Sequence, residues 1–267
     1  MDNTGAEMNA DRFRGFAKLY DDARPTMPLY LVEVIIKYLG RKPQRVVDLG
    51  CGTGLSTLIW RNNCDEAVGI EPSGDMLAEA QKKAQGNITF KQGFGHDTGL
   101  KDGAADAVVC SQSFHWMEPG ATLAEINRIL KHDGIFATVD CDWPPVCNWK
   151  AEKAFEEIMR AVKEAEDVCP ELKSSFKYWD KNRHLENIKS SGYFRFAREI
   201  VFSNKESCDA ERFINLALSQ GGLQSILKAK PELITPQIDK FKSLARAALG
   251  ERTFKIDFGY RMRIGVK

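Results

Sequence analysis

Apolar residues in this 267-residue chain follow two rhythms. Through the middle they come as short, nearly unbroken runs: Arg45 to Leu49, Ala67 to Glu71, Ile88 to Gln92, Ala105 to Ser111 and Ile135 to Cys141. Between the runs they recur at helical spacing. A helix is predicted over about Leu55 to Asn62. Ser73 can cap another that keeps Met76, Leu77, Ala80 and Ala84 inward, and Pro119 opens a third through Lys131, with Gly134 beyond its end. Short apolar strands alternating with helices predict a parallel sheet covered on both faces.

The two ends of the chain read differently. Helical patterns cover about Asp11 to Tyr20, with Phe13, Phe16 and Leu19 on one face, and Pro28 to Leu39, closed by Gly40. After the fifth strand, Lys150 to Asp167 is a long amphipathic helix with Phe155, Ile158, Met159, Val162 and Ala165 on one side. Further helices are predicted at Asp180 to Ser191, closed by Gly192, at Ser207 to Ser219, and at Thr235 to Leu249. The last has Thr235 as its cap, Pro236 in its first turn and Gly250 at its exit. Tyr193 to Phe202 reads as a strand. Arg252 to Val266 alternates, with Phe254, Ile256, Phe258 and Tyr260 on one face, so the two predict an antiparallel pair or edge. The expected organisation is an N-terminal helical lid over 1–40 and a core over 41–149. Residues 150–267 are expected to hold a helical cover (150–179 and 205–250), the last core helix and two C-terminal strands.

Composition narrows the function. The formal net charge is +1, and Lys and Arg are interleaved with Asp and Glu. No basic stripe suited to nucleic acid results. No apolar run approaches the roughly twenty residues that span a bilayer. Met1 to Ala10 is polar, carries Asp2 and Glu7, and lacks the layout of a signal peptide. A cytoplasmic protein with neither a nucleic-acid nor a membrane partner is expected, as a monomer or homodimer; the small-molecule substrate follows from the resemblance described below. The seven cysteines are irregularly spaced with no C-x-x-C. They read as small apolar fillers in a reducing compartment, and no metal site is expected.

The first strand runs directly into Asp48-Leu49-Gly50-Cys51-Gly52-Thr53-Gly54. Glycine permits positive φ and close approach of backbone to a ligand. In open α/β sheets ligands lie outside the carboxyl ends of the strands. A second acid, Glu71, ends the next strand about twenty residues on, where a ribose-binding carboxylate belongs. Paired carboxylates repel a diphosphate but suit a ribose and a sulfonium or ammonium centre.

At these residues the chain resembles the class I S-adenosylmethionine-dependent methyltransferases. Gly50, Gly52 and Gly54 match that family's first motif, and Glu71 the acid that grips both ribose hydroxyls. The resemblance covers roughly Asp11 to Asp140. It implies a Rossmann-like, seven-stranded, mostly parallel sheet with an antiparallel edge strand and helical lid insertions, with S-adenosyl-L-methionine as cofactor. Cofactor contacts are expected at Tyr20, Arg24, Asp48, Gly50, Cys51, Gly52, Gly54, Glu71, Pro72, Met76, Gly93, Phe94, Gly95, Ser111, Gln112, His115 and Trp116. Many relatives carry an Asp after the third strand to meet the adenine amine. Here the aligned position is Phe94, which could stack on adenine, and His96 and Asp97 are alternatives.

The stretch Ser113-Phe114-His115-Trp116 resembles a small-molecule subgroup similar to trans-aconitate methyltransferase, as does Tyr20-Asp21-Asp22-Ala23-Arg24-Pro25 with that subgroup's N-terminal lid. Methyl transfer from a sulfonium is an in-line displacement, so the protein mainly positions the reactants. A base is needed only when the acceptor carries a proton. His115 is the candidate catalytic residue, as base or hydrogen-bond partner; its other reading is a ring packed beside Trp116. Arg24 suits an anionic group or a lid-closing ion pair. Trp143 and Tyr178 are candidate substrate contacts, and Trp149, Phe176 and Trp179 are weighed with them against a place in the core. The rivals are a nicotinamide-dependent oxidoreductase, a non-enzymatic S-adenosylmethionine binder and a nucleic-acid methyltransferase. Against the first stand the spacing of Gly54, the acid Asp48 and the lack of a Tyr-Lys pair.

Overall fold

The computed structural model describes residues 21–169 and 177–267. The expected helix over Asp11 to Tyr20, and with it Tyr20, Phe16 and Phe176, lies outside the described residues. The sheet has seven strands in the order β3-β2-β1-β4-β5-β7-β6. They are β1 (Arg45–Leu49), β2 (Glu66–Glu71), β3 (Ile88–Gln92), β4 (Ala105–Ser111), β5 (Leu130–Cys141), β6 (Phe196–Cys208) and β7 (Phe254–Val266). β1 to β5 are parallel, and β7 runs antiparallel to both β5 and β6. The chain leaves β1 toward β2 and β3, then returns to the other side of β1 with β4. That reversal is the switch point at which α/β sheets open a crevice. The central strands are buried almost throughout, as their unbroken apolar runs require.

The helices are α1 (Tyr30–Leu39), α2 (Gly74–Gln81), α3 (Pro119–Ile129), α4 (Trp149–Val168), α5 (His184–Ser190), α6 (Ala210–Leu218), α7 (Gly221–Ala229) and α8 (Thr235–Leu249). Glu118 starts α3 by accepting the N–H groups of Gly120 and Ala121, with Pro119 supplying the fixed first φ. α4, α6 and α8 pack through a trio of rings: Phe155 lies 5.8 Å from Phe213 and 6.3 Å from Phe241. Trp143, just past β5, stacks on Phe155 at 6.0 Å. The helical layer therefore meets the sheet at the carboxyl end of β5.

Several boundaries differ from the sequence reading. The helix expected over Leu55 to Asn62 is only a 3-10 turn over Thr57–Trp60, because the Ser56 and Thr57 hydroxyls are turned back to Asp48. Ala84 lies past the end of α2 and is exposed. Ser73 precedes α2 without a side-chain cap bond, and the Ser73 N–H is satisfied by Glu71 instead. The Thr235 hydroxyl donates to Pro231 O and does not cap α8. α3 stops at Ile129, and β5 begins at Leu130 and runs through Gly134. β6 starts at Phe196 and reaches Cys208, so α6 begins late, capped by Asp209, which accepts the Arg212 N–H at 2.8 Å. α7 was not anticipated; its Gly221-Gly222 start hides the helical pattern.

Candidate active site

The glycine loop hangs on β2: Gly50 and Cys51 donate their N–H groups to Ile70 O at 2.8 and 3.1 Å. Gly50, Gly52 and Gly54 all have positive φ. Their surroundings separate them. A Cβ on Gly50 would lie 2.6 Å from Ser113 Cβ, and one on Gly54 2.6 Å from the Phe90 ring, whereas at Gly52 no described residue comes within 4 Å. Gly50 and Gly54 are therefore demanded by packing as well as conformation, and Gly52 presents bare backbone to an open side.

Two buried acids flank that opening. Glu71, the last residue of β2, accepts the Gly52 N–H with Oε2 and the Ser73 N–H with Oε1, each at 2.9 Å. Asp48 accepts the Ser56 and Thr57 hydroxyls on Oδ2 at 2.6 and 2.7 Å, and its buried Oδ1 has no hydrogen-bond partner among the described residues. Burial pushes the Glu71 carboxyl up to about 7 and the Asp48 carboxyl up to about 6, against the pull of these hydrogen bonds. Each acid is thus held in a dry place with acceptor capacity left over, a donor set made for hydroxyls or a cation and hostile to a phosphate.

The other expected cofactor residues fall around this pair with differing roles. Cys51 Sγ points toward Gly69, and burial drives its thiol far above the ordinary range, so it is inert filling. Met76 is buried in α2, and half-buried Pro72 accepts Gln92 Nε2 at its carbonyl. Phe94 exchanges backbone hydrogen bonds with Asp97, and its ring lies 5.6 Å from that of His96. Gly93 and Gly95 are close-packed, since a Cβ would meet Ile70 Cγ2 at 2.9 Å and Met117 Sδ at 2.6 Å respectively.

After β4 the chain turns sharply. Gln112 adopts φ +59°, and its N–H donates to Val139 O at 2.8 Å. Ser113 Oγ donates to Leu49 O at 2.6 Å, tying this turn to the glycine strand, while the buried Ser111 Oγ has no partner. His115 is buried between the Trp116 ring at 4.8 Å and the Tyr178 ring at 5.3 Å, and Nδ1 faces Asp140. Burial and the nearby Lys181 charge push its pKa down to about 4, so the ring is neutral at physiological pH. Arg24 sits elsewhere: its guanidinium covers Trp143 at 5.1 Å and donates to Ser219 O at 3.0 Å and Gln220 Oε1 at 3.3 Å. It joins the segment before α1 to the helical layer. Trp149 is largely exposed at the start of α4, away from the ring trio.

With this geometry in view, comparison with known proteins is informative. The methyltransferase domain family matches residues 47–138, the span from β1 through most of β5. Over that span the chain is similar to methyltransferase domains. The chain is 32% identical over 124 residues to the Saccharomyces cerevisiae protein named "Probable S-adenosylmethionine-dependent methyltransferase CRG1", covering 44% of this chain and 43% of that one. It is 26% identical over 206 residues to "Uncharacterized methyltransferase C25B8.09" of Schizosaccharomyces pombe, covering 72% and 82%. The chain thus spans less than half the length of CRG1 in that match. In fold it is similar to the YcgJ protein of Bacillus subtilis, with a TM-score of 0.55 at 19% identity over 90% of this chain and 99% of that one. It is equally similar to the cyclase SpnF, at TM-score 0.56 and 16% identity over 98% and 96%. This architecture is therefore shared by proteins of differing chemistry, and function rests on the site.

Sequence reasoning passed over several residues of the site. Asp21 accepts Thr53 Oγ1 at 2.8 Å and Lys83 Nζ at 2.7 Å, clasping the glycine loop from the N-terminal side. Asp140, His184, Lys181 and Arg263 gather behind His115. The available signals were a carboxylate inside the apolar run Ile135 to Cys141 and an arginine inside the apolar alternation of β7.

Proposed function

We propose that this chain is an S-adenosylmethionine-dependent methyltransferase acting on a small-molecule acceptor, of the kind its His115-Trp116 turn suggests. The observation that carries the reading is the pair Glu71 and Asp48, buried, free of ion pairs among the described residues and beside the open face of Gly52. Each Glu71 oxygen already accepts one backbone N–H and retains a lone pair for a ribose hydroxyl. Asp48 Oδ1 and the Ser111 hydroxyl supply further unspent capacity at the same strand ends. When bound, S-adenosylmethionine supplies an electrophilic methyl on a sulfonium.

The chain's own task is then placement. Gly52 lets the cofactor approach the backbone, and Glu71 fixes its rotation. His115, Trp116 and Tyr178 wall the acceptor side, and Trp143 with Arg24 shapes it from the helical layer. A carboxylate or other ionised acceptor needs no base. For a protonated acceptor, neutral His115 takes the proton on Nε2 while Asp140 faces Nδ1. The elements over 150–179 and 205–250 act as the cover.

Thermal unfolding with S-adenosylhomocysteine, with NAD as comparison, tests the reading. A ligand at a hundredfold excess over Kd adds about 2.7 kcal/mol. A shift with S-adenosylhomocysteine alone, lost in Glu71→Ala, is expected, followed by methyl transfer from labelled cofactor to members of a panel of small acids, amines and thiols. A shift with NAD alone overturns it.

A further inference from the structure

Behind the acceptor wall lies a buried group that the cofactor reading leaves unused. His115 Nδ1 is 3.4 Å from Asp140 Oδ1, and His184 Nε2 is 3.7 Å from Asp140 Oδ2. One ligating atom from each of the three side chains can be chosen so that all lie within 4.8 Å of one another. The side chains are 6%, 4% and 0% exposed for His115, Asp140 and His184. His115 Nδ1, Asp140 Oδ1 and both ring nitrogens of His184 meet no hydrogen-bond partner among the described residues. Buried polar atoms are almost always satisfied, so His115 Nδ1, Asp140 Oδ1 and one of the two His184 nitrogens are candidates for a shared partner.

The frame is rigid and the donors are the right kind. Asp140 stands in β5, His115 in the turn after β4 and His184 at the start of α5. Both imidazoles are buried, and imidazole nitrogens are common ligands of transition cations. Arg263 Nη1 donates to Asp140 Oδ2 at 2.9 Å, and Arg263 Nε to Glu199 Oε2 at 2.7 Å. This outer pair fixes the carboxylate plane and leaves Oδ1 facing His115, the way supporting residues orient ligating ones. In a tetrahedral zinc site with bonds of about 2.0–2.1 Å, neighbouring ligand atoms are about 3.4 Å apart. The spacing here approaches that. Two imidazoles and one carboxylate favour zinc and other first-row transition cations over magnesium or calcium, which take oxygen ligands.

One group competes. Lys181 Nζ lies 3.3 Å from Asp140 Oδ1 and 3.4 Å from Gln112 Oε1, and its side chain is 25% exposed on a flexible stem. We propose that His115, Asp140 and His184 form a binding site for a borderline divalent cation such as zinc, and that the cation takes the place of the Lys181 ammonium at Asp140. The ligands come from three separate elements, which is why no spacing in the sequence announces them. The proposal does not rest on the cofactor reading, but a cation on His115 Nδ1 leaves the ring proton on Nε2, so the loaded site excludes His115 as the base for a protonated acceptor.

The test is zinc titration of the chelator-stripped full chain in competition with a chromophoric chelator, with the cobalt absorption spectrum as a second readout. One equivalent of zinc is expected, weakened roughly 100-fold or more in His184→Ala and Asp140→Asn, by comparison with what even outer residues contribute. Circular dichroism checks that these variants fold. Lys181→Met, at a partly exposed position, keeps the test decisive if they do not: removing the competing cation is expected to tighten zinc roughly tenfold, as relief of one unit charge contact does. Absence of zinc uptake by the wild type, unchanged uptake in a folded His184→Ala, or weaker binding in Lys181→Met would each overturn it.

Discussion

Asp106 and Asp48 are both buried carboxylates in neighbouring strands, yet they sit at opposite ends of the sheet and in opposite electrostatic states. Asp106, near the start of β4, accepts Arg41 Nη2, the N–H groups of Gln44 and Arg45, and Lys131 Nζ. Burial alone would raise its carboxyl, but Arg41, the Arg45 N–H and Lys131 outweigh that and hold it below the usual range. Asp48, near the end of β1, has hydroxyls on one oxygen, no partner among the described residues on the other, and a carboxyl pushed up to about 6. One acid is closed by the fold and the other is left for something the fold does not contain. Burying a charge without full satisfaction is costly, so the open acid marks the site and the closed one marks structure.

The sharpest way to break this contrast is to remove one acid from each end. Asp106→Ala leaves the N–H groups of Gln44 and Arg45 and two cations without their shared acceptor, and it should lower stability in urea unfolding by about 3 kcal/mol while leaving S-adenosylhomocysteine affinity unchanged. Glu71→Ala should reverse that profile, weakening S-adenosylhomocysteine in calorimetry about 100-fold, which corresponds to about 2.7 kcal/mol, with a smaller change in unfolding. Equal effects of both variants on affinity would erase the distinction.

A finer cut uses two glycines of one loop. Gly54→Ala drives a Cβ into Phe90 and should cost about 2–3 kcal/mol of stability. Gly52→Ala meets open space and should cost only about 1 kcal/mol for its positive φ, yet weaken the cofactor at least roughly tenfold. The mildest probe is pH. In the proposed site ribose hydroxyls donate to ionised Glu71, whose carboxyl in the free protein is pushed up by burial to about 7. Affinity is therefore full above that value and should fall by up to about tenfold per unit as pH drops below it, a slope that Glu71→Gln should flatten.

Much of this was legible in the sequence, unevenly. The strand runs of the core and the Asp48-to-Gly54 loop with Glu71 could be placed because local patterns dictate them: unbroken apolarity for buried strands, glycines where φ is positive. Thr57–Trp60 could not, because Asp48 reaches back along the chain to take the Ser56 and Thr57 hydroxyls. Arg24 could not either, since its partners Ser219 and Gln220 lie some two hundred residues away. The group around Asp140 draws on His115, Lys181, His184 and Arg263, and only the closed sheet brings them together.

The helical layer enters the chain twice, as α4 between β5 and β6 and as α6 to α8 between β6 and β7. The Phe155, Phe213 and Phe241 rings join the two insertions to each other, far from the carboxylates at the ends of β1 and β2. Exchanging helices, lengthening loops or resizing these rings therefore acts where the helical layer meets the carboxyl end of β5 and does not touch Asp48 or Glu71. Under the methyltransferase reading proposed above, the acceptor side is thus built on parts of the chain that can be altered without disturbing the cofactor side.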